Sequence, residues 1–248
     1  MANTESQNRP IDVLLLYPKE LNIYGDYGNT QVIRRRLEWY GYEPNLIIYE
    51  GGDLPENIDM VLGGGGQDSG LKAIYPDLKS KEDQFKALAE AEVPMLTISG
   101  LYQMFGKSFP LGGETLEGLG LLDVTTKEGA EKFDGNVFAE SEQFGTIIGY
   151  EIHENLSFVG EGSKPLAEKV TKGTSNNTID TTEGAINHHV IGTYLYGPLL
   201  PKNPAIADFL IKAACVHRYG AFEPAIQPAN LPVAKLTEEA RKVALTRP

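Results

Sequence analysis

The chain of 248 residues has a formal net charge of −12, with 41% hydrophobic and 23% charged residues, as in an ordinary soluble globular protein. This length is enough for one large α/β domain or two small ones around a substantial core. The acidic balance lacks the basic surface of a nucleic-acid-binding protein, so we expect no nucleic acid among the partners.

The first hundred residues alternate between apolar runs of strand length and segments with helical periodicity. The predicted strands cover residues 11–17, 45–49, 58–62 and 94–98. One predicted helix carries Ile33, Leu37 and Tyr40 on one face and ends at Gly41, and a second covers residues 80–91 with Ser80 as its N-cap. Strands that alternate with helices in this way predict βαβ units, and therefore an α/β fold with a mostly parallel sheet and helices on both faces.

From residue 111 onward, glycine-rich turns separate shorter β-like runs. Residues 118–122, 136–138 and 146–151 either extend the same sheet or form an antiparallel layer against it. Residues 160–183 are polar and predict a surface loop or hairpin, and helices are predicted at residues 205–219 and 235–245. No linker is long enough to require a second domain. We therefore predict a single domain over residues 1–248, with a flexible N-terminus at residues 1–10 and a C-terminal extension at residues 223–248.

Three further features bear on location and on the surface. The N-terminus lacks a basic segment followed by an apolar one, and no apolar run has the length of a membrane span, so we expect a cytoplasmic protein without a membrane span. The single cysteine, Cys215, cannot form an internal disulfide and lies in a helical run, which favours a packed core thiol.

The one basic cluster, at residues 34–36, is interpreted as a solvated helix face, with an interface or an anion contact as the alternative.

Four consecutive glycines, at residues 63–66, follow the third predicted strand. They are not a phosphate-binding P-loop, because no Gly-Lys-Ser/Thr follows, and no register matches the dinucleotide-binding G-x-G-x-x-G pattern. Two interpretations stay open on these residues alone. The segment is either a flexible turn or a row of backbone N–H groups that stabilises an oxyanion.

The strand at residues 94–98 runs through Ser99 and Gly100 directly into a predicted helix. A strand, a tight turn and a helix in this order form a nucleophile elbow, which exposes one side chain at the tip of a sheet. A second notable segment, Gly-Thr-Tyr-Leu-Tyr-Gly-Pro at residues 192–198, follows almost a hundred residues later. Ser99 is therefore the candidate functional centre.

Together these two segments resemble the catalytic segments of class I glutamine amidotransferases, in the cobyric acid synthase (CobB/CobQ) branch that contains the GatD proteins. There the elbow reads Cys-Gly-Gly-Tyr-Gln and the second segment reads Tyr-Leu-His-Gly-Pro. Residues 21–29, 113–120, 144–151 and 192–203 also resemble GatD segments, so the resemblance covers nearly the whole chain. It implies a flavodoxin-like glutaminase domain that binds L-glutamine. It also implies transfer of ammonia to a MurT-like Mur ligase subunit, as a heterodimer, for amidation of the peptidoglycan precursor lipid II. We expect no cofactor and no metal.

Both reactive groups of this family differ here, because Ser99 stands where the family has its nucleophilic cysteine and Tyr196 stands where it has its histidine base. A serine hydroxyl is a poor nucleophile until a base within hydrogen-bonding reach takes its proton. Tyrosine has an ordinary pKa of about 10, so near neutral pH it is a neutral phenol and a poor base. We therefore predict that glutaminase activity is weak or lost.

The resemblance assigns the remaining parts of the site to five residues. The oxyanion donors would be the backbone N–H groups of Gly64 or Gly65 together with that of Gly100. Gln103, one turn into the elbow helix, would lie beside the glutamine pocket. Lys132 stands where GatD proteins carry an arginine that grips the substrate carboxylate, and a lysine keeps the charge without the bidentate fork. The alternative for Lys132 is a plain surface lysine.

The four histidines, His153, His188, His189 and His217, are the only candidates for a substitute base. His153 is the least unfavourable of them, because its segment Gly-Tyr-Glu-Ile-His resembles a Gly-Phe-Glu-Asn-His segment of the family. Two function classes remain open. The chain is either the glutaminase subunit of a MurT-like synthase with altered or abolished activity, or a non-catalytic homologue that binds and regulates a Mur-ligase-like partner.

Overall fold

A computed structural model describes residues 9–247 of the chain. The strands are β1 (Pro10–Leu16), β2 (Glu43–Tyr49), β3 (Met60–Gly63), β4 (Met95–Ile98), β5 (Ser108–Leu111), β6 (Glu114–Glu117), β7 (Val124–Lys127), β8 (Phe133–Ser141), β9 (Gly145–His153), β10 (Leu156–Val159), β11 (Lys169–Lys172), β12 (Ala185–Asn187), β13 (Val190–Thr193) and β14 (Leu195–Tyr196). The helices are α1 (Tyr27–Trp39), α2 (Asp68–Ser80), α3 (Glu82–Glu90), α4 (Gly100–Phe105), α5 (Leu199–Lys202), α6 (Pro204–Tyr219) and α7 (Ala234–Leu245), with a 3-10 turn at Pro228–Asn230.

The central sheet has the strand order β12-β13-β4-β3-β1-β2. All neighbours are parallel except β12, which is antiparallel to β13 at the edge. Strand β1 therefore lies between β2 and β3, and the strand order reverses direction there, as in flavodoxin-like sheets. Ligands of such sheets bind beyond the carboxyl ends of the strands at this switch point, which is where the loops after β1 and β3 meet.

Alternate residues of the central strands enter two separate cores, one on each face of the sheet. Ile11, Val13 and Leu15 of β1 pack with buried residues of α1 and α6. Leu14 and Leu16 pack on the other face with buried residues of α2, α3 and α4. Because successive side chains of a strand point to opposite faces, a strand covered on both faces reads as a continuous apolar run. The predicted parallel sheet with helices on both faces is confirmed.

Two four-stranded sheets lie outside the central one, in the orders β10-β7-β5-β6 and β11-β8-β9-β14. Their pairings are antiparallel, apart from a single parallel pair between β5 and β7. Of the two alternatives for the second half of the chain, the antiparallel layer is therefore correct. Residues 118–122 are not a strand, although Leu119, Leu121 and Leu122 are buried in the core.

Two other predictions from the first half of the chain need correction. Helix α2 was missed, because Gly70 and Pro76 lie within it and both residues disfavour a helix interior. Ser80 is consequently the last residue of α2 and not the N-cap of the next helix, which is α3 and begins at Glu82.

The polar segment at residues 160–183 is not simply a surface loop. It contains β11, and Ser175, Asn176, Asn177 and Glu183 are buried. The Asn176 side chain donates to the Gly184 carbonyl and accepts from the Tyr102 hydroxyl, so polar residues here fill the interior with their hydrogen bonds satisfied.

The two ends of the described chain are both attached to the core. Strand β1 starts at Pro10, so the predicted flexible segment at residues 1–10 extends too far, and its residues 1–8 lie outside the described part. In the predicted C-terminal extension, Arg241 of α7 donates to the carbonyl of Thr146 at 2.6 Å and also to that of Lys202. The single-domain organisation of the whole chain stays a prediction. Among residues 9–247, no helix is both long and apolar enough to span a membrane.

The basic cluster on α1 is only partly a solvated face. Arg34 and Arg35 are exposed, but the side chain of Arg36 is 8% exposed and donates to both carboxylate oxygens of Asp208 at 2.6 Å. Tyr40 also donates to this carboxylate, so α1 and α6 are joined by a charged, hydrogen-bonded contact below the surface. The bidentate geometry needs the planar guanidinium fork of arginine.

We predict that Arg36→Met lowers the free energy of unfolding by about 3 kcal/mol, because it leaves the Asp208 carboxylate half-buried without its cation. Arg34→Met, on the exposed side of the same helix, should change stability by less than about 0.5 kcal/mol. Urea denaturation followed by circular dichroism measures both. Equal effects of the two substitutions would contradict the assignment of Arg36 as a packing contact.

Candidate active site

A cleft of about 750 Å³ opens beyond the carboxyl ends of β3 and β4. It is lined by Ile23, Tyr24, Gly66, Gln67, Asp68, Leu71, Ser99, Gly100, Gln103, Pro110, Leu111, Gly112, Glu128, Gly129, Lys132, Ile152, His153, Glu154, Asn155 and Tyr196. Ser99, Gly100, Gln103, Lys132 and Tyr196, which the sequence places in one site, thus converge on a single cleft. Ser99, Gly100 and Gln103 lie at the end of β4 and in α4, beside the central sheet. Lys132 directly precedes β8 and Tyr196 lies on β14, two strands of one antiparallel sheet.

Ser99 occupies a strained backbone position at the tip of β4. Its φ is 54° and its ψ is −114°, a conformation that non-glycine residues rarely adopt and that costs on the order of 1–3 kcal/mol. Two hydrogen bonds hold it there: the Ser99 N–H donates to the Thr193 carbonyl at 2.8 Å, and the Ser99 carbonyl accepts from the Gln103 N–H at 3.0 Å. The neighbouring Gly100 has no room for a side chain, since a Cβ would lie 2.5 Å from Leu71. The geometry is that of a nucleophile elbow.

Tyr196 lies beside Ser99, although it is not on a strand of the central sheet. The chain leaves that sheet at Thr193, and β14 then pairs with β9 and brings Tyr196 over the elbow. Burial raises the pKa of the Tyr196 phenol well above its ordinary value, and a hydrogen bond from Ser99 only partly opposes this. The phenol is 3% exposed and Tyr24 packs edge-on against it, with ring centroids 4.8 Å apart. Tyr196 is therefore a neutral hydrogen-bonding group at neutral pH.

The glycine-rich turn after β3 is in contact with Tyr196, but its N–H groups are not all available to the cleft. A Cβ on Gly65 would lie 2.6 Å from the Tyr196 hydroxyl, so only glycine allows this approach. The Gly65 N–H donates at 2.8 Å to Oδ2 of Asp26, a buried carboxylate from the loop after β1. Gly65 therefore cannot offer this N–H to an oxyanion while Asp26 holds it. The oxyanion roles of Gly64, Gly65 and Gly100 stay predictions.

Gln103 lines the cleft with both ends of its amide already engaged. Its Nε2 donates to the Tyr194 hydroxyl at 3.0 Å, and its Oε1 accepts from Asn155 at 3.2 Å. The Tyr194 hydroxyl in turn shares a hydrogen bond with Ser157. These bonds orient Gln103 in the cleft wall, and its amide keeps a second N–H and a second lone pair for a ligand.

Lys132 lies at the open side of the cleft, in the loop before β8. Its Nζ is 3.4 Å from Asp134, and its side chain is half-exposed, so the ammonium group can move towards a ligand. Glu128 and Glu154 line the same cleft, and the sequence interpretation did not single them out. The open side of the cleft thus presents charges of both signs.

None of the four histidines hydrogen-bonds Ser99 among the described residues. His153 lines the cleft, but its Nδ1 faces the Asn155 carbonyl at 2.9 Å and its Nε2 faces Glu151 at 3.4 Å. Its ring is stacked on Tyr194, with centroids 3.8 Å apart. His188 and His189 lie beside Glu92, and His217 faces the Ala91 carbonyl, so these three are at the opposite end of the sheet.

Two buried carboxylates lie behind the elbow. Glu151 accepts from the N–H groups of Thr174 and Ser175, at 2.8 and 2.5 Å. Glu183 accepts from the hydroxyls of Ser175 and Thr193, and burial raises its pKa to about 7. Because the Thr193 carbonyl also accepts from the Ser99 N–H, this network fixes the backbone that supports the elbow.

The lone cysteine takes no part in the site. Cys215 is fully buried in the core formed with α6, and burial raises the pKa of its thiol to about 12. The prediction of a packed core thiol is confirmed. Over residues 9–247 there is no group of three or more histidine, cysteine, aspartate or glutamate side chains that could hold a metal ion.

The residue that the sequence interpretation missed most clearly is Asp26. Residues 21–29 were noted there only for their resemblance to a GatD segment. The signal that could have indicated Asp26 is its place in the loop between β1 and α1, because loops after β1 and β3 meet at the switch point of such a sheet.

Solved structures with the same fold are glutamine amidotransferases. A protein described as "glutamine amidotransferase" aligns over 82% of this chain and 98% of its own, with a TM-score of 0.57 and 18% identity. A glutamine amidotransferase from Thermotoga maritima aligns over 94% of this chain and 93% of its own, with a TM-score of 0.54 and 16% identity. At these identities the likeness shows the fold, which is the class I glutamine amidotransferase fold that the sequence predicts.

Sequence comparison is more specific. The GatD subunit of lipid II isoglutaminyl synthase from Staphylococcus aureus is 36% identical over 83% of this chain and 84% of its own length. The Streptococcus pneumoniae GatD subunit is 30% identical over 85% of this chain and 82% of its own. Residues 12–204 match the CobB/CobQ-like glutamine amidotransferase domain, and the chain therefore belongs to the CobB/CobQ-like glutamine amidotransferase family.

Proposed function

We propose that this chain is a GatD-like subunit that binds L-glutamine in the cleft at Ser99, hydrolyses it weakly or not at all, and acts together with a Mur-ligase-like partner. The observation that carries the proposal is the pairing of a strained elbow serine with a buried, neutral tyrosine. The elbow occurs in a glutamine amidotransferase fold, and serine and tyrosine stand where the resemblance places the reactive cysteine and histidine.

The chemistry of hydrolysis fails at its first step. For the Ser99 hydroxyl to attack the glutamine side-chain amide, a base has to take its proton as the new C–O bond forms. Tyr196, the side chain in contact with Ser99, is a neutral phenol whose raised pKa makes the phenolate rare near pH 7. His153 is buried with its ring nitrogens facing Asn155 and Glu151. Among residues 9–247, neither Tyr196 nor His153 is therefore an effective base for the serine.

The same groups are suited to binding without cleavage. The Tyr196 hydroxyl and the Gly100 N–H are hydrogen-bond donors that can be offered to the carbonyl oxygen of a glutamine side-chain amide, while the Ser99 hydroxyl donates to Tyr196. At the open side of the cleft, Lys132 can meet the α-carboxylate, while Glu128 and Glu154 can meet the α-ammonium group. A zwitterionic amino acid with an amide side chain thus matches the distribution of donors and charges.

A partner is supported by the names of the relatives, since both GatD proteins are described as subunits of a lipid II isoglutaminyl synthase. Ile23 and Tyr24 line the cleft, and Tyr27 follows them in the chain as the first residue of α1. These three large apolar side chains, each 40–42% exposed, are named the apolar rim. A net charge of −12 also favours association with a basic protein face. The partner that this proposal names is a MurT-like ligase that amidates a peptidoglycan precursor.

A second candidate function is a purely non-catalytic binding subunit that regulates its ligase. The engaged N–H of Gly65 favours it, because a potential oxyanion donor is directed away from the cleft. An assay of ammonia release from L-glutamine separates the two candidates.

We predict that the unmodified chain releases little or no ammonia from L-glutamine, and that the double variant Ser99→Cys, Tyr196→His raises the rate by about 10²–10⁴-fold. The reason is that the double variant supplies both a thiol of lower pKa and an imidazole base. A coupled glutamate dehydrogenase assay measures release, with and without the partner ligase. Each single variant and His153→Ala in the unmodified chain serve as controls.

Robust ammonia release by the unmodified chain that is lost in His153→Ala would contradict the proposal and identify His153 as the base. An inactive double variant, tested together with the partner, would contradict a latent glutaminase site and support the non-catalytic candidate.

We predict that the unmodified chain binds L-glutamine, that Lys132→Met weakens binding about fivefold, and that Lys132→Arg strengthens it. An exposed ion pair contributes about 1 kcal/mol at most, and an arginine fork adds a second hydrogen bond to the carboxylate. Isothermal titration calorimetry measures the dissociation constants, with Lys169→Met on β11 as a charge-matched control. A Lys132→Met variant that binds like the control variant would show that Lys132 is a plain surface lysine.

We predict that the chain forms a stable complex with the Mur-ligase-like protein of its own organism, and that Tyr27→Glu weakens the complex at least about tenfold. A charge introduced into the apolar rim would be buried in the interface without a partner. Size-exclusion chromatography with light scattering follows assembly, and Ile48→Glu on the edge strand β2 is the control. Absence of any complex at micromolar concentration and low salt would count against a ligase partner.

A further inference from the structure

The Gly65 peptide is held on both sides by one segment, the loop between β1 and α1. The Gly65 N–H donates to Asp26 Oδ2 at 2.8 Å, and the Gly65 carbonyl accepts from the Ile23 N–H at 3.2 Å. Since Gly65 lies against the Tyr196 hydroxyl, a shift of this peptide would move the phenol that faces Ser99. A change at Asp26 would therefore reach the cleft through one residue, Gly65.

The same segment also fixes the chain just after Tyr196. The Asn29 side chain accepts from the Leu200 N–H at 2.9 Å. A Cβ on Gly28 would lie 2.5 Å from Pro198, so glycine is needed for this close packing. Tyr24 packs on the Tyr196 ring from the cleft side. Residues 22–29 therefore join the glycine-rich turn to the segment that carries Tyr196.

The other carboxylate oxygen of Asp26 has no partner among the described residues, and neither does the hydroxyl of Thr30. Both side chains are buried, and they line one small cavity with about 10 Å³ of space, enough for a single water-sized molecule. The cavity lining contains no lysine, arginine or histidine. Two unpaired buried oxygens on one small cavity define a site for one hydrogen-bond donor, because either oxygen left unpaired would be costly.

We propose that Asp26 is a positioning residue for the cleft. One of its oxygens orients the Gly65 peptide against Tyr196, and the other shares a single water-sized hydrogen-bond donor with Thr30, either water or ammonium. The donor and the Gly65 N–H together satisfy a buried carboxylate that has no ion-pair partner. Removal of Asp26 should therefore loosen the glycine-rich turn, although Asp26 itself does not touch a ligand.

The pH dependence follows from the surroundings of Asp26. Burial raises its pKa to about 6, and the hydrogen bond from Gly65 opposes the increase. The titratable groups that face it are the phenols of Tyr27, which lines the cavity, and Tyr196. Above about pH 6 the carboxylate is ionised and accepts strongly from Gly65. Below that pH the protonated group is a weaker acceptor, and the Gly65 peptide should be held less tightly.

The test is amide hydrogen exchange at Gly65, followed by NMR and expressed as a protection factor corrected for intrinsic pH dependence. We expect Asp26→Asn to lower Gly65 protection about tenfold at pH 7 and to remove the decline of protection below pH 6. Thr30→Val should lower protection by about threefold, and Thr30→Ser should retain it. Asp59→Asn is the matched control, because Asp59 is also buried and accepts one backbone N–H, from Asp12 at 2.8 Å, but outside the cleft.

Gly65 protection within about twofold of the unmodified chain in Asp26→Asn would overturn the positioning role. Equal effects of Thr30→Val and Thr30→Ser would overturn the shared donor, and this comparison keeps the Asp26 charge if Asp26→Asn does not fold. Titration with ¹⁵N-labelled ammonium chloride distinguishes the donor, since a bound ammonium signal lost in Thr30→Val identifies ammonium and no such signal identifies water.

The consequence for L-glutamine rests on the proposed function. We expect Asp26→Asn to weaken L-glutamine binding about tenfold while Asp59→Asn leaves it unchanged. If the unmodified chain does not bind L-glutamine, the proposed function fails, while the exchange experiment still decides the role of Asp26. Changed exchange with unchanged glutamine affinity would overturn the link between the glycine-rich turn and the ligand.

Discussion

The backbone at Ser99 is the constraint on which the rest of the site depends. A positive φ at a serine is unfavourable by itself, and Ser99 adopts it in the tight turn between β4 and α4. The hydrogen bond from its N–H to Thr193 joins the tip of β4 to the tip of β13. The Thr193 hydroxyl in turn donates to the Glu183 carboxylate, which fixes Thr193. A buried polar network thus stabilises a conformation that local sequence preference would not choose.

The chain combines the glutamine amidotransferase fold with a serine at the elbow and a buried tyrosine beside it. The elbow places the residue at position 99 at the tip of β4, and β14 brings the residue at position 196 next to it. Burial makes a phenol a weaker acid because it disfavours the charged phenolate. Tyr196 is therefore a neutral hydrogen-bond donor in this cleft.

The loop after β1 shows how a flavodoxin-like sheet builds a site from distant segments. The strand order reverses beside β1, so the loops after β1 and β3 meet without an intervening element. Glycines at residues 28 and 65 permit backbone approaches that any side chain would block. Asp26 adds a polar contact between the two loops, because its carboxylate accepts from the Gly65 N–H.

The parallel sheet with helices on both faces, the elbow at Ser99 and the family are predictable from the sequence alone. Continuous apolar strands and short motifs are local patterns, so they can be recognised in the sequence. Three other features required the folded structure: Arg36 is buried against Asp208, Gly65 is held by Asp26, and Tyr196 reaches the cleft from a second sheet. Each of these depends on contacts between residues far apart in the chain, and burial, charge pairing and the resulting pKa values are set by such contacts rather than by neighbours in sequence.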